Sequence, residues 1–203
     1  MSLFRKIFGP KSKTTPENIT GERGKYMPDV KIPVDERFTI NFKGNGGKFL
    51  YCENLDEVFY SLEQILQENS WDDAEVKILD DRIKNLFKDY KLNYTKKGSQ
   101  ATFFLSTCEN LIADDGSILI SSNQIAEKKL TELPDHFVIY ATTSQLVENI
   151  GEGLRLIKNK NKNCIPTNIT TIKHFKNKEK EDKDFLSYGS STKNLYLLLL
   201  EDL

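Results

Sequence analysis

Chemistry-bearing side chains gather in two stretches of this chain. In the first, Ser106-Thr107-Cys108-Glu109-Asn110 is followed closely by Asp114-Asp115-Gly116-Ser117, so that hydroxyls, a thiol and carboxylates crowd a short piece of sequence. Carboxylates can move protons or hold magnesium, which makes Glu109, Asp114 and Asp115 the candidate acids and bases. Thr107, Gly116 and Ser117 would supply hydroxyls and backbone to a ligand. Asp114 and Asp115 are equally suited to plain turn-making, because their side chains bond nearby backbone. The second stretch, Gly189-Ser190-Ser191-Thr192-Lys193, joins a flexible backbone to hydroxyls and a cation, a composition able to cradle a phosphate or carboxylate. It is not a P-loop, since that motif opens a helix and this one leads into the apolar run Leu195 to Leu200. Cys108 could act as a nucleophile only as a thiolate, and no histidine near in sequence would stabilise one; an inert buried thiol is the better reading. Sequence spacing alone assigns no chemical role to His136 or His174.

These side chains need a scaffold. Thr102 to Leu105 and Ile118 to Ile120 are short apolar runs bounded by turn residues, the pattern of buried strands, and Gly116 lets the Asp-Asp-Gly-Ser turn adopt positive φ. If both strands are central, the polar loop and the turn sit at the mouth of a buried sheet, where α/β proteins keep ligands. Upstream, Lys48 to Cys52 is a strand, and Asn54 caps a helix filled on one face by Leu55, Val58, Phe59, Leu62, Ile65 and Leu66. A strand near Glu75 to Leu79 precedes a helix around Asp81 to Tyr90, with Trp71 as a packing anchor between. Downstream, Phe137 to Tyr140 is a strand and Ser144 starts a helix carrying Leu146, Val147, Ile150, Leu154 and Ile157. A strand within Ile165 to Ile172 and the run Leu195 to Leu200 complete the alternation. Val34 to Phe42 fits strand or helix by spacing alone.

The bulk numbers bound the function. A chain of 203 residues suits one domain plus some tail, here residues 1–33 as an N-terminal segment and arm and 34–203 as the α/β domain. The formal net charge of −1 gives no global attraction for nucleic acid. Cys52, Cys108 and Cys164 lie far apart with no metal-ligand spacing, so this chain is expected to hold no metal or iron–sulfur cluster itself. An odd cysteine count, no signal peptide and no transmembrane-length apolar run point to a soluble, cytoplasmic protein. Leu3, Phe4, Ile7 and Phe8 form one face of a short basic amphipathic segment, a foot for a membrane surface or partner or a helix lying on the protein's own core.

The order of elements from Val34 onward resembles the LUD (lactate utilization domain) family, which includes the lactate utilization protein C component. Ala113-Asp114-Asp115-Gly116-Ser117-Ile118 is similar to that family's Ala-Glu-Thr-Gly-Thr-aliphatic turn, and Tyr188-Gly189-Ser190 to its His-Gly-Pro turn before the last strand. The resemblance implies an α/β fold of NagB/RpiA/CoA-transferase-like type, with a mostly parallel sheet and helices on both faces, and it makes Val34 to Phe42 a helix. It departs where Tyr188 replaces His, where Ser190 replaces Pro, and at Asn168 to Phe175, which lacks the family's Gly-Pro-Ser type motif.

Three functions follow as expectations. The first is an accessory or small-anion-binding component in L-lactate oxidation to pyruvate, with iron–sulfur clusters carried by partner oxidoreductase subunits. The second is an enzyme of cyclo-ligase-like or sugar-phosphate type acting on an anionic small molecule, and the third a non-catalytic interaction module with a degenerate site. The binding readings require the turns at Gly116 and Gly189 to share one rim of a cleft.

Overall fold

A strand that is hydrophobic at every position from Leu195 to Leu200 has no polar face for solvent and belongs inside a sheet covered on both sides. Leu195 to Leu199 are buried throughout, and the strand that holds them is flanked by parallel strands on either side. The computed structural model describes residues 32–95, 101–175 and 193–202. Its helices are α1 (Val34–Gly44), α2 (Leu55–Glu68), α3 (Asp81–Leu86), α4 (Ser122–Ile125) and α5 (Ile150–Lys160). Its strands are β1 (Lys48–Cys52), β2 (Glu75–Lys77), β3 (Asn93–Tyr94), β4 (Phe103–Ser106), β5 (Asn110–Ile112), β6 (Ser117–Ile120), β7 (His136–Thr142), β8 (Leu146–Val147), β9 (Thr170–Ile172) and β10 (Asn194–Leu200).

The main sheet has six parallel strands in the order β1-β10-β7-β4-β2-β3. Strand residues alternate between faces, so the register sets Leu105, Val138 and Tyr196 in one row and Phe104, Phe137 and Leu195 in the next. The first row meets α2 and α3: Val58, Leu62 and Ile65 of α2 and Ile83 of α3 cluster with Leu105, Val138 and Leu198. Each of these side chains contributes about 1.5–3 kcal/mol by leaving water. Asn54 caps α2 as its spacing predicts, accepting from Glu57 N at 2.9 Å while Glu57 Oε2 accepts from Glu53 N at 2.8 Å. Trp71 stacks on Phe103 with ring centroids 5.1 Å apart, the anchor the sequence suggested.

The opposite face carries a helix, as expected, and a second sheet besides. α1, helical as the family resemblance implied, brings Lys43 over the Phe49 ring and packs Phe38 on Phe42. Beside it lies a second sheet of four strands in the order β8-β5-β6-β9. The apolar runs Thr102 to Leu105 and Ile118 to Ile120 therefore part company: Phe103–Ser106 is central in the main sheet, whereas Ser117–Ile120 pairs antiparallel with β5 in the small one. The residues 144–157 also differ from a single helix. Thr143–Gln145 is a 3-10 turn, Leu146–Val147 joins β5, and the helix begins only after Asn149, whose side chain accepts from Glu152 N at 3.0 Å. The helix around Asp81 ends at Leu86, earlier than Tyr90.

Candidate functional site at the carboxyl edge of the parallel sheet

The loop after a central parallel strand opens at the carboxyl edge of the sheet, the usual place for a ligand in α/β proteins. β4 ends there in Ser106, fully buried, whose Oγ finds no hydrogen-bond partner among the described residues. Thr107 and Cys108 follow, both buried, and then Glu109, half-buried. Glu109 Oε1 accepts from Ser121 Oγ at 2.6 Å, Asn123 Nδ2 at 2.8 Å and Gln124 Nε2 at 3.2 Å. These donors stand where β6 runs into α4, so the hairpin's closing end fixes the carboxylate that its opening end supplies. Glu109 Oε2 makes no hydrogen bond among the described residues.

The neighbouring loop, after β7, is tied to the same place. Gln145 Nε2 donates to Cys108 O at 2.6 Å, while its Oε1 accepts from Thr142 N at 2.8 Å. Asp202, just past β10, accepts from Thr143 Oγ1 at 2.9 Å, Ser144 N at 2.8 Å and Ser144 Oγ at 2.7 Å. Burial pushes the Asp202 carboxyl up, but the Ser144 and Thr143 hydrogen bonds together outweigh it and hold it below the ordinary carboxylate range. Between these loops and the end of α5 runs a groove of about 450 Å³, lined by Glu109, Asn110, Ser144, Gln145, Ile157 and Lys160 among others. Residues bearing a carboxylate, a hydroxyl, an amide and an ammonium thus border a space wide enough for a small organic acid.

A guanidinium also stands near enough to Glu109 to feel its charge. Asp80, 4% exposed, caps α3 by accepting from Arg82 N at 2.9 Å and also receives the Arg82 side chain, Nε to Oδ1 at 3.0 Å and Nη2 to Oδ2 at 2.6 Å. The Asp80 hydrogen bond raises the Arg82 pKa, burial opposes it, and the charges of Asp80 and Glu109 add to the rise.

The remaining sequence candidates lie elsewhere. The turn at Asp114 to Ser117 is the far tip of the β5–β6 hairpin and is pressed onto α1: Asn41 Nδ2 donates to Ala113 O at 2.8 Å and Asn45 Nδ2 to Asp115 O at 2.7 Å. Asp115 Oδ1 accepts from Ser117 Oγ at 2.6 Å and Ser117 N at 3.1 Å, and Asp114 lies 3.5 Å from Arg37 Nη2. These are the hydrogen bonds of a turn. Lys193 sits at the amino edge, where β10 begins; its Nζ is buried, donates to Leu133 O at 3.0 Å and Pro134 O at 2.9 Å, and ties β10 to the segment before β7. Glu109 and Thr107 therefore share the carboxyl edge, while Asp114, Asp115, Gly116 and Ser117 share the hairpin tip. The rim expected to join the Gly116 and Gly189 turns is thus not the one that borders the groove, and the candidate binding site is the carboxyl edge instead. Gly189, Ser190, Ser191 and Thr192 lie outside the described residues, as do Tyr188 and the amphipathic Leu3 to Phe8 segment.

Sequence reasoning missed Gln145, Asp202 and the Asp80–Arg82 pair. Only the last had a local signal, an Asp at a helix start two residues before an Arg.

Cys108 behaves as the sequence suggested. Burial first, and the Glu109 charge second, push its thiol far above the ordinary range, and burial also raises Cys52. Cys164 is exposed. Ellman's reagent at pH 8 is therefore expected to titrate one thiol, Cys164, in the folded protein and all three after unfolding; rapid native labelling at Cys108 would contradict its burial. Among the described residues, no His, Cys, Asp and Glu group is clustered as a metal site requires, and no helix is long and apolar enough to cross a membrane.

A parallel sheet with helices on one face, a helix and a small sheet on the other, and polar loops at its carboxyl edge define an α/β domain. The LUD domain model matches residues 36–200, and the chain belongs to that family. The fold is similar to the crystal structure of a DUF162 family protein from Deinococcus radiodurans, at 12% identity and a TM-score of 0.55, over 82% of this chain and 96% of that one. Among curated proteins, none matches.

Proposed function

We propose that this chain is an accessory, small-anion-binding component resembling lactate utilization protein C, associated with L-lactate oxidation to pyruvate together with iron–sulfur partner subunits. Membership of the LUD family supports the setting. The observation that carries the binding part is Glu109 at the carboxyl edge, anchored through Oε1 and open at Oε2 beside a groove bordered by Ser144, Gln145 and Lys160. A hydroxy acid offers what such a border lacks: a donor for Oε2 and a carboxylate for a cation.

A thermal-shift screen of the full chain with L-lactate, pyruvate, other carboxylates, nucleotides and sugar phosphates tests this, because a ligand selective for the folded state raises its stability by roughly 2.7 kcal/mol at a hundredfold excess over Kd. L-lactate or pyruvate should raise the midpoint and nucleotides should not. Affinity capture from cells should retain iron–sulfur oxidoreductase subunits. A flat response to every carboxylate, with no such subunit retained, would end this reading.

A further inference from the structure

Strands β2 and β4 are neighbours in the main sheet, and their carboxyl ends send the chain to opposite faces. From β2 the chain enters α3, whose Ile83 packs with Val76 and Phe103 in the cluster under α2. From β4 it enters β5 and the small sheet, on the face where Gly116 meets Asn41 and Phe42 of α1. Loops that diverge this way leave a crevice between them, and in open α/β sheets such a switch point is where ligands bind. The segments that border it are Asp80 to Arg82 on one side and Thr107 to Glu109 on the other.

Arg82 is built for that position. Its Nε and Nη2 face Asp80, which fixes one edge of the planar guanidinium against a buried carboxylate. The other edge, Nη1 with the second proton of Nη2, has no partner among the described residues, and the side chain is 56% exposed. A guanidinium held this way has one fork left for a second carboxylate, already oriented and at little entropic cost. Across the crevice, the free Oε2 of Glu109 accepts only a hydrogen-bond donor.

We propose that Arg82, braced by Asp80, is the carboxylate-reading residue of a ligand subsite between the ends of β2 and β4, and that its ligand is a small monocarboxylate bearing a hydrogen-bond donor. This rests on the reading of the chain as a binder of small organic anions and names the residue that would decide which anions. Charge ranks the classes: one guanidinium and the carboxylates of Asp80 and Glu109 leave the subsite net negative, so a phosphate dianion is repelled about twice as strongly as a monocarboxylate, which the open fork of Arg82 can still hold through two hydrogen bonds.

Isothermal titration of the full chain with L-lactate, acetate and inorganic phosphate, on the wild type and Arg82→Lys, tests it, with amide shifts of Asp80 to Arg82 and Thr107 to Glu109 locating the site. L-lactate should bind the wild type more tightly than acetate, which lacks the donor, and more tightly than phosphate. Arg82→Lys should weaken L-lactate by about tenfold or more, because an ammonium cannot replace the fork, and melt close to the wild type because the side chain is largely exposed. If both proteins bind L-lactate equally, Arg82 is not the reader, and the anion-binding function stands without it. Tighter phosphate binding that depends on Arg82 would overturn the ligand class, and acetate matching L-lactate would overturn the role of the donor. A wild type that binds no carboxylate removes the underlying reading and this subsite with it.

Discussion

Gly116→Ala is expected to destabilise the protein by roughly 2–5 kcal/mol, the sum of about 1–2 kcal/mol for a Cβ in the left-handed region and about 1–3 kcal/mol for overpacking. The residue has φ +67°, and an added Cβ would press on the backbone of Asn41 and Phe42. A side chain could rotate away from such a clash; a helix backbone cannot. The hairpin tip would have to lift from α1, with loss of the bonds from Asn41 to Ala113 O and from Asn45 to Asp115 O. Phe42 would loosen too, and with it the Phe38 ring stacked on it at 5.4 Å and the Phe175 ring tilted against it at 4.9 Å. Domains are stable by about 5–15 kcal/mol in all, so a loss of this size leaves a marginal protein. Gly44→Ala is the control: nothing lies within 4 Å of its Cβ position, and an unstrained replacement of this kind changes stability by less than about 1 kcal/mol. Urea unfolding of both variants provides the measurement. A Gly116→Ala midpoint equal to the wild type would mean that the tip does not rest on α1 as described.

That contact also shows what could be read before any coordinates. The turn at Asp114 to Ser117 and the need for Gly116 at its left-handed position were legible because turn chemistry is local. The partner of the turn was not, since α1 lies about seventy residues away in sequence, as the Asn45 to Asp115 bond records. The same division runs through the helices. Asn54-x-x-Glu57 marked the start of α2, and Asn149-x-x-Glu152 carries the same signal, yet Leu146 and Val147 keep helical spacing with Ile150 and Ile157 and hid the true start behind a two-residue strand. β5 was overlooked because three residues, one of them Asn110, give too short a pattern to alternate. Lys193 looked available because a lysine beside hydroxyls usually is; only the carbonyls of Leu133 and Pro134, sixty residues earlier, explain its burial. Glu109 was legible as a polar residue after a buried strand. Its donors were not, since they return from the far end of the hairpin.

Those donors make Glu109→Ala the second large effect. Ser121 and Gln124 are fully buried, and the carboxylate accepts from both as well as from Asn123. Hydrogen bonds to a charged acceptor contribute about 1.5–3 kcal/mol, and a buried donor left without one loses its full desolvation cost. Ser121 Oγ can fall back on Gln124 Oε1 at 3.2 Å, which already accepts from Ser121 N at 2.8 Å, so part of the loss is recovered. A net destabilisation of roughly 2–4 kcal/mol is expected for Glu109→Ala. Glu109→Gln behaves differently, because its amide oxygen can keep the Oε1 position while its nitrogen takes the place of Oε2. It should retain most of the stability and yet turn the open acceptor into a donor. Urea unfolding and native-state amide exchange at Ser121 to Gln124 separate the two variants. If Glu109→Ala unfolds at the wild-type midpoint, the carboxylate does not hold the hairpin's end. If Glu109→Gln keeps its fold but loses the L-lactate-dependent rise in melting temperature, the two oxygens of one side chain divide the work, Oε1 for the scaffold and Oε2 for the ligand.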